Sequence, residues 1–73
     1  MKEVDLHGIS HELAEETIRS FLNFADLPCV VTTGNSPRMK QILKIIVEEY
    51  GWRMREPIYY NKGSFIIEPK TEE

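Results

Sequence analysis

The sequence predicts a two-layer α/β sandwich, in which two helices cover one face of a four-stranded mixed sheet. The first observation is the order of the segments, because short β-type runs alternate with amphipathic helical runs as β-α-β-α-β-β. The second is the pair of helical crossovers, which favours parallel pairing of the early strands with right-handed connections. The third is a closing pair of strands joined by a short turn, which adds an antiparallel pair.

The first quarter of the chain predicts a strand and a helix. Residues 2–6 alternate polar and apolar side chains, which is the pattern of a half-buried strand. Ser10 is a typical N-cap residue, and apolar side chains recur at helical spacing over residues 11–25. Pro28 follows, and proline cannot continue a helix because it lacks an N–H group.

The middle of the chain predicts a central strand and a second helix. Residues 29–33 are almost continuously apolar and β-branched, as expected for a strand that is covered and lies inside the sheet. Ser36 as N-cap and Pro37 at the first helical position form a strong start signal. An apolar stripe then continues to Tyr50, and Gly51 is a natural end.

The last third predicts the closing hairpin. Residues 52–59 alternate in polarity and read as a third strand, in which Pro57 indicates an edge position or a bend. Residues 60–63 have the composition of a hairpin turn, and residues 64–68 form a fourth strand. No repeat or linker divides the chain.

Length and composition predict one small domain over residues 1–69, followed by a frayed polar tail at 70–73. Domains of this size bury only about 60% of their unfolded surface, so any site should be a surface groove. The single cysteine, Cys29, lies in an apolar run and excludes an internal disulfide, so we expect it to be packed in the core. No apolar run approaches the roughly 20 residues of a membrane span. We therefore expect a cytoplasmic location and no membrane partner, whereas the oligomeric state stays open, with a monomer as the default.

Charge is distributed unevenly along the chain, although the net value is −3. Residues 1–27 carry two Lys or Arg and six Asp or Glu, a balance of −4. Residues 28–70 carry seven Lys or Arg and four acidic residues, a balance of +3. The second part can therefore present a local basic surface to a polyanion.

The first candidate motif is Asp-Leu-His-Gly at residues 5–8. Asp5 and His7 are two residues apart on a strand and so share a face, and a carboxylate that orients an imidazole suits general acid–base catalysis. The alternative is that both side chains cap loops or face solvent. His11 adds a third possible ligand, but the spacing fixes no metal geometry, so we expect a solvated His11, no metal site and no cofactor.

The second candidate motif is the turn before the second helix. Gly34 allows a positive φ or a close approach, and the free N–H groups of the helix form an anion site. Arg38 and Lys40 would flank the anion, with Lys44 one turn further along. The alternative is an ordinary turn with solvated cations. Arg53 and Arg55 either widen the phosphate-binding surface or pair across strands with Glu68 or Glu3. The predicted phosphate-binding residues are Gly8, Thr33, Gly34, Asn35, Ser36, Arg38, Lys40, Lys44, Arg53 and Arg55.

Three segments together resemble the Smr (small MutS-related) domain. The first is Val-Asp-Leu-His-Gly at residues 4–8, followed by a serine and an amphipathic helix. The second is Thr-Gly-Asn-Ser at residues 33–36, where the family usually has His-Gly-x-Gly or Thr-Gly-x-Gly. The third is the glycine and apolar strand at residues 63–67. Thr33 stands where many members have histidine, and Ser36 replaces the second glycine.

The resemblance implies a fold similar to the C-terminal domain of bacterial translation initiation factor three. It also implies binding of DNA or RNA and, in several members, endonuclease activity. The residues of the family's first motif carry over to Asp5 and His7, and its turn glycine carries over to Gly34. The implied mechanism uses His7 as general acid or base, with Asp5 orienting it.

Two other functions remain open from the sequence. One is a non-catalytic adaptor that docks on a protein or a ribonucleoprotein, with the acidic first helix facing the partner. The other is a sensor of a small anion or nucleotide that uses only the turn at residues 33–36.

Overall fold

The computed structural model describes residues 2–57 and 63–70 and has the predicted element order. The elements are β1 (Glu3–Asp5), α1 (His11–Phe24), β2 (Cys29–Thr32), α2 (Pro37–Glu49), β3 (Trp52–Arg55) and β4 (Ser64–Pro69). The predicted turn at 60–63, except for Gly63, lies outside the described residues. So do the end of the predicted third strand and residues 71–73 of the tail.

The four strands form one mixed sheet in the order β1-β2-β4-β3. β1 runs parallel to β2, and β4 runs antiparallel to both β2 and β3. The predicted fold class and the central position of β2 are therefore confirmed. The crossover through α2 joins β2 to β3, which run in the same direction but are separated by β4. The two central strands, β2 and β4, are the two most continuously apolar ones, as burial inside a sheet requires.

Both helices pack on the same face of the sheet and enclose the core. Cys29 is fully buried in it, as the sequence predicts, and burial raises the pKa of its thiol because the thiolate would lose its hydration. The buried residues of this cluster are Leu6, Ala14, Ile18, Leu22, Cys29, Val31, Met39, Leu43, Ile46, Val47 and Ile67.

The two helices begin differently. Ser36 Oγ accepts a hydrogen bond from the Met39 N–H at 3.1 Å, and Pro37 occupies the first turn of α2, as predicted. Ser10 takes the N-cap position of α1, but it makes no side-chain capping bond to any residue that the structure describes. Within residues 2–57 and 63–70, neither helix is long and apolar enough to cross a bilayer.

Ion pairs connect neighbouring elements at two places. Arg19 of α1 bonds Glu49 of α2 at 3.0 Å and Glu15 at 2.9 Å, and these bonds raise the pKa of its guanidinium, Glu49 contributing most. Glu68 of β4 accepts hydrogen bonds from Arg53 at 2.8 Å and from Arg55 at 3.2 Å. This is the cross-strand pairing that the sequence offered as one reading of the two arginines.

The Glu68 contacts predict a pH dependence of stability. The hydrogen bond from Arg53, followed by that from Arg55, lowers the pKa of the Glu68 carboxyl in the folded chain. A lowered folded-state pKa means that the stabilisation is complete above the ordinary glutamate pKa of about 4.3 and is lost as pH falls through the folded value. We expect Glu68→Gln to reduce the urea midpoint at pH 7 and to have a smaller effect at a pH well below the ordinary glutamate pKa. Glu48→Gln, an exposed residue without an ion pair in the described ranges, is the matched control and should change neither midpoint measurably.

Candidate functional site

The two loops that carry the candidate motifs meet at the end of the sheet where β1 and β2 have their carboxyl ends. One follows β1 and the other follows β2, and the carboxyl ends of neighbouring parallel strands lie side by side. Between them is a cleft of about 290 Å³. Its lining residues are Leu6, His7, Gly8, Ile9, His11, Thr33, Gly34, Asn35, Ser36 and Met39.

Both helices begin at this cleft. α1 starts at His11 and α2 starts at Pro37, directly after the cleft residue Ser36. The first N–H groups of a helix have no partner within the helix, and the macrodipole places a partial positive charge there. The Ser36 hydroxyl oxygen accepts a hydrogen bond from the Met39 N–H at the start of α2. At the start of α1, Ser10 makes no side-chain capping bond within the described residues. The partial positive charges of the two helix starts therefore lie at the cleft, although Pro37 of α2 has no N–H and the Met39 N–H is already bonded.

Two imidazoles lie at the cleft. The His7 ring is close to the turn after β2, since its Cδ2 atom is 4.0 Å from the position that a Cβ at Gly34 would take. His11 Nε2 lies 3.4 Å from Ser36 Oγ, so it spans from α1 to the start of α2; its tautomer sets which atom donates. His11 is exposed, as the sequence predicts, but its place at the cleft was not predicted. The available signal was its position as the first residue of a helix that follows a parallel strand.

The Asp5 carboxylate contacts the main chain of its own loop. Its Oδ1 accepts a hydrogen bond from the backbone N–H of His7 at 2.8 Å. This hydrogen bond caps the loop, which was the alternative interpretation of the motif. It joins the carboxylate to the backbone of His7 and not to the imidazole. Asp5 thereby ties the main chain at His7, at the start of the loop that lines the cleft.

Thr33 ties the turn after β2 to the start of β4. Its N–H donates to the Gly63 carbonyl oxygen at 2.6 Å, and its hydroxyl lies 3.1 Å from the same oxygen. The residue is only 4% exposed. The turn of the second motif therefore has a buried threonine that holds it in place.

The predicted cations do not line the cleft. Arg38 and Lys44 are exposed and Lys40 is half-buried along α2, and none of the three is among the lining residues. Arg53 and Arg55 lie on β3, at the opposite edge of the sheet from β1, where they bond Glu68. The structure therefore brings together the two loops, the glycines and the histidines, and it leaves the arginines of β3 apart from them.

The chemistry of the cleft is that of backbone amides, two imidazoles and a serine hydroxyl. Over residues 2–57 and 63–70, no three His, Cys, Asp or Glu side chains are grouped so that they could hold a metal ion. The groups that are present can bind an anion, and the imidazoles can exchange protons with it.

Comparison with known proteins adds no relative, since the chain matches no family model, no curated protein and no solved structure. The likeness to the Smr domain stays a prediction that depends on the three segments quoted above.

Proposed function

We propose that the cleft binds a phosphodiester group and that the chain is a nucleic-acid-binding domain with endonuclease activity on structured DNA or RNA. The observation that carries this proposal is the meeting of two helix N-termini and two histidines in one cleft. Nucleic acids are abundant in the cytoplasm, where we expect the protein to act.

A phosphate matches the polar groups of the cleft. Free N–H groups at a helix start point toward a bound anion, and the macrodipoles of both helices add to the attraction. The volume of about 290 Å³ suits one phosphate with part of its sugar, so the neighbouring nucleotides would extend along the surface. Arg38 and Lys40, near the start of α2, would then contact the flanking phosphates. A bound polyanion there would offset the unfavourable position of these cations near a helix N-terminus.

Phosphodiester cleavage would use the two imidazoles in different protonation states. One neutral imidazole takes the proton of the attacking hydroxyl or water, and one protonated imidazole gives a proton to the leaving oxygen. We assign these roles to His7 and His11, and we assign to Asp5 the holding of the loop that carries His7. Gly8 and Gly34 keep the walls of the cleft free of side chains.

The binding part is tested with two arginine variants of equal charge change. Arg38→Ala should weaken binding of labelled single-stranded RNA, single-stranded DNA or branched DNA about tenfold. It should also reduce the slope of log K against log[salt] by about 1. Arg53→Ala removes the same charge on the far edge of the sheet and should change neither quantity. Fluorescence anisotropy over a series of salt concentrations measures both, and equal effects of the two variants would refute the assigned site.

The catalytic part has its own readout. His7→Ala and His11→Ala should each reduce cleavage of a supercoiled plasmid or a structured RNA by at least about 100-fold, as expected for loss of a general acid or base. Binding, in contrast, should fall only a few-fold. Cleavage that survives both substitutions would contradict the assigned mechanism and leave the binding proposal standing.

A further inference from the structure

The outer edge of the sheet at β1 has main-chain groups that point away from its neighbour. The Leu6 N–H donates to the Thr32 oxygen, and the Val30 N–H donates to the Lys2 oxygen. The main-chain N–H and C=O groups of the even-numbered residues in this segment are therefore directed toward β2. In a parallel pair, the N–H and C=O groups of the residues between them face the other way. The main-chain groups of Glu3 and Asp5 are therefore directed outward, and such an edge is a template for another strand.

A surface groove of about 420 Å³ runs beside this edge, between β1 and α1. Leu13 is 57% exposed at the groove, and Val4 and Phe21 are half-buried in it. Large apolar side chains next to an open sheet edge are the arrangement by which proteins bind extended peptides as an added strand. The groove residues are Val4, Leu13, Glu16, Thr17, Ser20 and Phe21.

We infer that this edge and groove bind an extended segment of another protein in which apolar and basic residues alternate. Successive side chains of a strand point to opposite faces of the sheet. One set of side chains would therefore lie under α1, against Leu13 and Phe21. The other set would lie on the face that the helices leave uncovered, beside the carboxylates of Glu3 and Asp5, which are exposed there.

Charge complementarity is the reason for expecting basic residues in the bound segment. The first 27 residues have a balance of −4, and cross-strand neighbours of opposite charge attract each other. Glu16 adds a carboxylate at the groove, and it has no ion-pair partner among residues 2–57 and 63–70. An acidic segment would meet like charges on both sides.

A second copy of this chain fits the edge less well. Pairing of β1 with β1 would place Glu3 and Asp5 of the two copies beside each other, and like charges repel. β3, at the other edge, has the required alternation, with Trp52 and Met54 on one side and two arginines on the other. Those arginines already bond Glu68 of their own chain. A foreign segment is therefore the occupant that the charges favour.

The experiment is a nuclear magnetic resonance titration with a short capped peptide that alternates lysine and valine. We expect chemical shift changes at the amides of Glu3, Asp5 and Leu13, together with slower hydrogen exchange at Glu3 and Asp5. A peptide with glutamate in place of lysine should bind at least tenfold more weakly. So should a peptide N-methylated on the residues that face β1, since it cannot complete the hydrogen-bond ladder.

Two variants at positions of similar exposure distinguish binding in the groove from non-specific hydrophobic binding. Leu13→Glu should weaken peptide binding at least tenfold, whereas Ile45→Glu on α2, where the native residue is 51% exposed, should change it less than twofold. Equal effects of the two variants, or equal binding of the glutamate peptide, would overturn the inference. Self-association that sedimentation detects and that Leu13→Glu abolishes would also overturn it, because the occupant would then be a second copy.

The groove and the cleft share no lining residue, and the link between the two proposals is Asp5, which lies on the β1 edge and also bonds the loop of the cleft. Leu13→Glu should therefore leave the affinity for RNA or DNA within about twofold of its original value. Loss of nucleic-acid binding in the Arg38→Ala variant should likewise leave the peptide titration unaltered. The two proposals can fail separately.

Discussion

Gly63→Ala is expected to reduce the free energy of unfolding by about 2–6 kcal/mol. Gly63 has φ +89°, a conformation that alanine adopts only with strain of about 1–3 kcal/mol. A Cβ there would also lie 2.7 Å from the carbonyl carbon and 2.8 Å from the Cα of Gly34, and closer still to the Gly34 oxygen. Overpacking of this kind adds roughly another 1–3 kcal/mol because backbone has to move. A chain of 73 residues has roughly 4–11 kcal/mol of stability in total, so the loss would be large.

Gly51→Ala is the matched control for this substitution. Gly51 also has a positive φ, +77°, but nothing lies within 4 Å of the position of its added Cβ. Only the backbone strain of about 1–2 kcal/mol should then appear. Urea unfolding followed by circular dichroism gives both values. Equal losses in the two variants would show that the close contact between Gly63 and Gly34 has no energetic weight.

The same contact connects stability to the candidate site. Gly34 is one wall of the cleft, and the Gly63 carbonyl accepts the N–H of Thr33 just before it. A Gly63→Ala chain that still folds has to displace this turn, so we expect its affinity for nucleic acid to fall as well. Gly51→Ala should leave that affinity unaltered, since Gly51 does not line the cleft.

Leu43→Ala is expected to reduce the free energy of unfolding by about 2–5 kcal/mol, through lost burial and the cavity left behind. Leu43 is fully buried on the inner side of α2, within the core cluster. The domain has a single small core, so few other contacts can compensate for the cavity. The loss should appear as a lower urea midpoint with a similar dependence on urea concentration.

Ile45→Ala, two residues along the same helix, is the control for helix propensity and side-chain size. Ile45 is 51% exposed, so its truncation leaves no cavity and should change the stability by less than about 1 kcal/mol. An equal loss of unfolding free energy in Ile45→Ala and Leu43→Ala would contradict the assignment of Leu43, and not Ile45, to the inward side of α2.

Local signals in the sequence were sufficient for most of the secondary structure. The start of α2 was predicted to the residue, because the Ser36 cap and Pro37 act within one turn of the helix. The end of α1 was placed one residue late, because Ala25 is itself a good helix former and the stop signal lies after it. The class of the sheet followed from the order of the segments.

The position of β4 between β2 and β3 was not predicted. Choosing strand neighbours depends on which apolar strands gain most from burial on both faces, and that is decided by residues far apart in the chain. The pairing of Val31 with Phe65 and of Val30 with Ile66 is such a long-range choice.

For the candidate site, the sequence was sufficient to name the two loops and to place them at one edge of the sheet, because hydrophobic periodicity and helix-start signals are short-range. Only the folded chain determined which groups of those loops act together. It placed His11 beside Ser36, turned the Asp5 carboxylate to the His7 N–H, and set Gly63 against Gly34. The contact between Asp5 and His7 is local, and the structure selected it from the alternatives that the sequence offered. The other two contacts depend on the pairing of strands and the packing of helices across the whole sheet, and no local spacing in the sequence encodes them.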